Sequence, residues 1–323
     1  MKAVYRSLAE AKDRFGPCAL AIGNFDGVHL GHRTLIRQTR EVAGSNGWKT
    51  AVLTFDPHPA VVVAPKRAPR LICSLEERLR LLEQAGAEEI LVLPFVPEVA
   101  KMSPEEFVVE VLVYGLDARA VLVGQSFRFG CKQAGNTEVM EELGDRLGFD
   151  THFIAPVICR GEIVSSTAIR SHVRHGRVTN AARLLGRCFS LEGEVVSGHG
   201  VGSKQTVPTL NLKPGPEVMP RQGVYITEAE DLEDGRRWQS ITNAGVRPTF
   251  GGHDMTVETF LLSPFDGRAP NRLRIYFRHF LREERQFPNP QELKTQILKD
   301  VGRAQAYWRR IARFRAAAPA AKP

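Results

Sequence analysis

Short apolar runs recur through the first half of the chain at residues 19–23, 51–55, 89–93, 120–124 and 152–155, with amphipathic stretches of helical length between them. Runs this short and this apolar suit strands buried on both faces. Their alternation with helices predicts an α/β fold with a mostly parallel sheet covered on both sides. The helix starts carry their own chemistry. Ser74-Leu75-Glu76-Glu77 and Ser103-Pro104-Glu105-Glu106 each place Ser at the N-cap and Glu at N3, the second with Pro at N1. From about residue 188 the period changes to extended runs at 189–197, 207–212, 223–229, 237–242, 255–262 and 272–280, broken by Gly-, Pro- and Asp-rich turns. That pattern predicts a compact antiparallel β-barrel. A closing helix is expected to start at Asn289-Pro290-Gln291-Glu292 and to run to about 315. The change of period near Leu185-Gly186-Arg187 divides the chain into domains at 1–186 and 187–315, and the Ala- and Pro-rich residues 316–323 read as a disordered tail.

Composition narrows the function classes. With 323 residues there is enough chain for two cores. Cys18, Cys73, Cys131, Cys159 and Cys188 are odd in number and widely spaced, with no Cys-x-x-Cys, so neither a disulfide framework nor a zinc site is expected. No apolar run approaches a membrane span, which makes the cytoplasm the expected compartment and a membrane an unexpected partner. The formal charge of +8 is concentrated in late arginines such as Arg268, Arg272, Arg278, Arg309 and Arg313. Without interleaved aromatics or a nucleic-acid module, this surplus reads as a solvated helix face and a general attraction for anionic nucleotides, and no nucleic acid is expected. The sequence leaves oligomerisation open.

The candidate chemistry begins at Gly23-Asn24-Phe25-Asp26-Gly27-Val28-His29-Leu30-Gly31-His32, between the apolar run ending at Ile22 and the helical Arg33-Thr34-Leu35-Ile36-Arg37. This reads as strand, tight glycine turn, helix. Glycines let the backbone approach a ligand, and the two histidines share one face beside the orphan N–H groups of the helix N-terminus. Such a place suits phosphate. Attack on the α-phosphorus of a nucleotide builds negative charge on oxygen, which fixed imidazole donors and a helix N-terminus stabilise, so nucleotidyl transfer fits. A lone His-x-x-His would read as surface polarity; its coincidence with the turn residues favours function.

This segment resembles the His-x-Gly-His signature of the nucleotidyltransferase superfamily. In its fuller form it resembles the bacterial bifunctional riboflavin kinase/FMN adenylyltransferase family, also called FAD synthetase. The resemblance runs from about residue 18 to 305 and implies a Rossmann-like nucleotidyltransferase domain followed by a riboflavin kinase barrel. By it, His29 and His32 are catalytic, while Gly23, Asn24, Phe25, Asp26 and Gly31 bind ATP. Phe55-Asp56-Pro57-His58-Pro59 matches Phe-x-Pro-His-Pro, with His58 in the flavin wall. Gly124-Gln125-Ser126-Phe127-Arg128-Phe129-Gly130 matches Gly-x-x-Phe-x-Phe-Gly, implying that Ser126, Phe127 and Phe129 meet the flavin, although many members carry an acid where Ser126 stands. Ser165-Ser166-Thr167-Ala168-Ile169-Arg170 reads as a capped helix start. In the family its counterpart holds the departing phosphates through Ser165, Ser166, Thr167 and Arg170, whose planar fork suits the task.

The second half carries a second set. Gly198-His199-Gly200-Val201-Gly202-Ser203-Lys204 is out of register for a P-loop, and Val207-Pro208 forbids an immediate helix. By the resemblance it is a kinase flap in which Gly198, Gly200, Gly202 and Lys204 contact ATP. It precedes Pro208-Thr209-Leu210-Asn211, similar to Pro-Thr-Ala-Asn, whose Thr209 and Asn211 would ligate Mg2+. Ser203 and Thr206 replace the arginine and second glycine common in the family, and Leu210 replaces Ala. The family places its catalytic carboxylate at Glu258, and Arg282 in Leu281-Arg282-Glu283-Glu284-Arg285 falls in a flavin-binding segment. The implied activity is phosphorylation of riboflavin by ATP to FMN, then adenylylation of FMN by a second ATP to FAD with release of pyrophosphate. The rivals are a monofunctional FMN adenylyltransferase with a degenerate kinase domain, suggested by the departures in 198–211, and a flavin- or RNA-binding regulator, suggested by the basic C-terminal region.

Overall fold

The computed structural model describes residues 3–196, 209–249, 252–263 and 268–317. They form two compact units: residues up to Ala168 together with Leu184–Gly186, and Ile169–Arg183 together with the chain from Arg187.

The first unit runs β1 (Ala3–Tyr5), α1 (Leu8–Ala11), β2 (Cys18–Ile22), α2 (Leu30–Asn46), β3 (Lys49–Asp56), α3 (Pro59–Val63), α4 (Leu75–Ala85), β4 (Glu89–Pro94), α5 (Pro97–Lys101), α6 (Pro104–Glu106), β5 (Ala118–Gly124), α7 (Thr137–Leu147) and β6 (Asp150–Ile154). A small hairpin of β7 (Ile158–Cys159) and β8 (Glu162–Ile163) leads into α8 (Ser166–Arg174) and α9 (Val178–Leu185). Six strands form one sheet in the order β1-β4-β3-β2-β5-β6, with every pairing parallel. Because alternate side chains face opposite ways, the sheet feeds two cores. Leu20, Ile22, Leu53 and Val121 pack with Phe107, Val108, Val111 and Leu112, while Ala19, Ala21, Val52 and Leu122 pack against Leu35, Ile36 and Ala43 of α2.

The expected caps are present. Ser74 Oγ accepts from Glu77 N at 3.2 Å, and Ser103 with Glu106 forms a reciprocal capping box. The chain then winds as a π-helix over Phe107–Val113, which no local signal announced. The strands β1, β7 and β8 were also missed, being only two or three residues long and so too short to show a period.

The second unit holds β9 (Phe189–Val196), β10 (Thr209–Pro214), β11 (Gly223–Asp231), β12 (Arg237–Thr249), β13 (Gly252–Leu261) and β14 (Arg272–Arg282), closed as a barrel in the order β10-β13-β12-β11-β14-β9 with antiparallel pairing. The expected barrel is thus found, with β12 running seven residues beyond the predicted end because β13 pairs with it as far as Thr249, whereas β11 pairs with it only to Ala244. The interior holds Tyr225 and Phe189, each in ring contact with Phe277, and a chain of hydroxyls. Thr227 Oγ1 lies 2.7 Å from both Ser240 Oγ and Thr242 Oγ1, and Thr242 lies 2.9 Å from Thr259. Each of these buried hydroxyls has a partner, which offsets the penalty for burying it. Outside, α10 (Pro290–Ala317), capped by Asn289 Oδ1 accepting from Glu292 N at 2.9 Å, lays Ala304 and Trp308 on Val224, Ile226 and Ile241. The predicted tail beyond Ala317 lies outside the described residues.

Two consequences are measurable. An added Cβ at Gly193 of β9 would stand 2.0 Å from the Lys213 carbonyl oxygen of β10, a backbone atom that cannot step aside. Gly193→Ala is expected to cost the second unit about 1–3 kcal/mol or more, read as a lowered denaturation midpoint. On β11 and β14, Glu230 accepts from Tyr276 Oη at 2.6 Å and from Arg237 and Arg274. Burial pushes its pKa up, but these hydrogen bonds and charges outweigh that and hold the carboxyl below its ordinary range. A carboxylate depressed in the folded state contributes stability above its unfolded pKa and loses it as pH falls through the folded one. Glu230→Gln should therefore destabilise at neutral pH and flatten the loss of stability on acidification, as checked by melting temperature against pH.

Candidate active sites

In the sheet, the chain leaves β2 toward β3 and β4 on one side and then returns to place β5 on the other side of β2. Ligands in open parallel sheets bind beyond the carboxyl ends of the strands at such a switch point. The loops that leave β2 and β5 are the ones bearing Gly23–His29 and Ser126–Phe129, so topology brings two separately noticed motifs to one edge.

The loop after β2 is held in an unusual shape. Phe25, Gly27 and Val28 have φ of 48°, 79° and 37°, the left-handed region that a β-branched residue such as Val28 seldom enters. Added side-chain atoms at Gly27 would press on Ile72, with Cβ 2.9 Å from its Cγ2. The anchors are explicit. Asp26, 2% exposed, accepts from Ile72 N at 2.8 Å, and Ser166 Oγ donates to Asp26 O at 2.9 Å. The Asp26 carboxylate thus takes part in holding the loop's own frame.

At the end of this loop His29, 6% exposed, caps α2, with Nδ1 accepting from His32 N at 3.3 Å. That bond puts the ring proton of neutral His29 on Nε2. The His29 and His32 rings stack at 3.6 Å and 14°, and Phe25 lies against His32 at 5.1 Å. A Cβ at Gly31 would reach within 3.2 Å of the His29 ring. Two imidazoles fixed at a helix N-terminus form a donor set suited to stabilising charge on phosphate oxygens.

The other candidates take varied positions. His58 caps α3, accepting from Ala60 N at 3.1 Å. Phe127 and Phe129 stack at 5.6 Å and 15°, but Phe129 is buried in the core against Phe107, leaving Phe127 partly exposed and Ser126 exposed. Ser165 Oγ accepts from Ala168 N at 3.2 Å as the cap of α8, with Thr167 in its first turn. Arg170 stands one turn further on, where the chain passes into the second unit. Sequence reading passed over Arg78 of α4, which is 1% exposed and donates to Asn24 O, Thr54 Oγ1 and Phe55 O at 3.0–3.3 Å. Its signal was present: Arg78 falls in the apolar stripe Leu75, Leu79, Leu82, where a charge is out of place. Cys18 is buried, which pushes its thiol up to about 12 and makes it inert.

In the barrel, Asn211 of β10 and Asn243 of β12 are the register partners of Glu258 on β13. Direct partners in a sheet share a face, and Thr209 shares the face of Asn211 by alternation. Their neighbours Leu210, Thr242 and Thr259 are buried in the interior, so Asn211, Glu258 and Asn243 form a polar row on the outer face, with Thr209 two residues along β10 on the same face. Asn243 Nδ2 donates to Glu284 at 3.2 Å. Arg282 is bound to Asp300 of α10 at 2.8 Å and to Glu283 O at 2.9 Å, a tie that fastens the helix to the barrel. Gly198, Gly200, Gly202 and Lys204 lie outside the described residues.

Comparison with known proteins follows the same division. A family model for FAD synthetase matches residues 11–168 and one for riboflavin kinase matches residues 185–308. Curated proteins named bifunctional riboflavin kinase/FMN adenylyltransferase are similar over nearly their whole length. The one from Haemophilus influenzae is 32% identical over 94% of this chain and 98% of its own, and the one from Pseudomonas fluorescens 34% identical over 93% and 96%. A solved structure from Streptococcus pneumoniae, described as a macrolide-efflux protein, superposes with a TM-score of 0.83 at 24% identity over 94% of this chain and 98% of that one, a likeness of fold alone. Two domain models in series, and relatives matched across both, lead to one conclusion: the chain belongs to the bifunctional riboflavin kinase/FMN adenylyltransferase family.

Proposed function

We propose that this protein phosphorylates riboflavin to FMN with ATP and adenylylates FMN to FAD with a second ATP, releasing pyrophosphate. The observation that carries the reading is that each half matched by a domain model has its own polar site: stacked histidines at a helix N-terminus in one, and a carboxylate between two asparagines on the barrel's outer face in the other. Among the described residues no helix is long and apolar enough to cross a membrane.

The two steps need different help. In adenylylation an FMN phosphate oxygen attacks the α-phosphorus of ATP, the bond to the bridging oxygen of the β-phosphate breaks, and pyrophosphate departs. That nucleophile is already ionised, so no base is required, and the task is positioning and charge stabilisation. His29 and His32 supply donors, the loop Gly23–His29 wraps the nucleotide, and Ser165, Ser166, Thr167 and Arg170 receive the departing phosphates. His58 and Phe127 border the flavin. In phosphorylation the ribityl hydroxyl attacks the γ-phosphorus and must lose a proton, which Glu258 accepts while ADP leaves. Thr209 and Asn211 offer hydroxyl and amide oxygens on the face that carries Glu258, a donor set that would hold Mg2+, and the ion would there neutralise phosphate charge. Lys204 provides the point charge of the kinase flap.

Replacing His29 and His32 together with Ala should abolish FAD formation and leave FMN formation near normal. Loss of the His29 cap costs about 1 kcal/mol of helix stability, so retained kinase activity serves as the check on folding. Equal loss of both products from a folded protein would overturn the assignment. Conversely, Glu258→Ala should slow riboflavin phosphorylation by roughly 10²–10⁴-fold and spare conversion of supplied FMN to FAD. An unchanged kinase rate would make Glu258 a bystander. Wild-type protein that makes FAD only from supplied FMN would instead favour a monofunctional adenylyltransferase.

A further inference from the structure

Arg78 is a buried charge outside the motifs that identify the family. A guanidinium at 1% exposure is costly unless it is paired, and a well-packed apolar side chain of similar size would serve stability as well or better. Its contacts are not spread over the core. Nη1 alone reaches Asn24 O at 3.2 Å, Thr54 Oγ1 at 3.3 Å and Phe55 O at 3.0 Å, and Thr54 Oγ1 itself donates to Asn24 O at 3.2 Å. One nitrogen therefore ties together the carboxyl ends of the neighbouring strands β2 and β3, from which the His29 loop and the His58 loop depart.

The tie has a directional effect. In a planar trans peptide the C=O and N–H point to opposite sides, so drawing the Asn24 carbonyl toward Arg78 turns the Phe25 N–H away from it. Phe25 is then the first left-handed residue of the loop, at φ 48°. The charge is also incompletely matched within the described residues. Arg78 Nε and Nη2 have no hydrogen-bond partner there, and the carboxylate of Asp56 stands 3.8 Å from Nη2 with its side chain 44% exposed to solvent. An under-compensated positive charge in a low-dielectric interior acts more strongly on a bound anion than the same charge in water.

We propose that Arg78 is a positioning residue of the adenylyltransferase site: it orients the Asn24–Phe25 peptide so that the Phe25 N–H serves the nucleotide phosphates, and it locks the His29 and His58 loops in one relative geometry. This rests on the reading of the first unit as the FMN-adenylylating half. The residue touches neither substrate; it acts through two backbone carbonyls and its buried charge.

The test uses the full-length protein and compares Arg78→Met, Arg78→Lys and Thr54→Val, with the chain's own riboflavin phosphorylation as the folding control. Arg78→Met should lower kcat/KM for FAD formation from supplied FMN by about 10²-fold, with KM for ATP raised as well as kcat reduced, because displacement of a site by about an ångström costs that much. Arg78→Lys keeps the charge without the fork and should recover part of the loss. A merely structural role would lower the active fraction and the melting temperature while leaving KM for ATP alone. That result, or wild-type FAD formation by a folded Arg78→Met, would overturn the proposal. If Arg78→Met fails to fold, Thr54→Val decides, since it keeps the shape and removes the bridging hydroxyl: a raised KM for ATP supports the proposal and an unchanged one overturns it. Failure of wild-type protein to make FAD at all would count against the functional reading, a different result from any of these.

Discussion

The turn after β2 must hold Phe25, Gly27 and Val28 in left-handed backbone conformations, and local preference opposes this at two of the three. Such residues cost about 1–3 kcal/mol each and persist only where the surroundings over-determine them. Here Ile72 N holds the Asp26 carboxylate, Ser166 Oγ holds the Asp26 carbonyl, and Arg78 with Thr54 holds the Asn24 carbonyl. The shape of one loop thereby makes demands on β3, α4, the segment around Ile72 and the start of α8. The loop ends at the stacked pair of histidines at the start of α2.

The barrel follows another logic, in which polarity is sorted by face. Its interior tolerates Thr227, Ser240, Thr242 and Thr259 because they satisfy one another. On the outer face the alternate positions carry Asn211, Glu258 and Asn243 in one register row and, elsewhere, the ion pairs of Glu228 and Glu230 with Arg237, Arg274 and Arg278. One residue of register slip would carry the row inside and the hydroxyl chain outside, so the packed interior also specifies where the polar row emerges.

Much of this could be read along the chain. The run lengths gave away five of the parallel strands and all six of the barrel, and Ser74, Ser103 and Asn289 announced their helices through cap chemistry that acts within four residues. The glycine turn and its histidines were visible because strand, turn and helix N-terminus are neighbours in sequence. Phe129 shows the opposite: the resemblance implies that it meets the flavin, while its burial against Phe107 depends on a helix that precedes it by a whole strand.

What the sequence by itself determined was therefore local: the period of each element, its caps, the change from parallel to antiparallel halves, and motifs spanning about ten residues. Tertiary structure alone decided that the β2 and β5 loops meet at a switch in strand order, that Asn211, Glu258 and Asn243 stand side by side on three strands, and that Arg78 closes on Asn24 across 54 residues. The physical reason is range. Propensity, capping and alternation act between residues one to four apart, whereas strand order and the partner of a buried charge depend on which distant segments burial brings together.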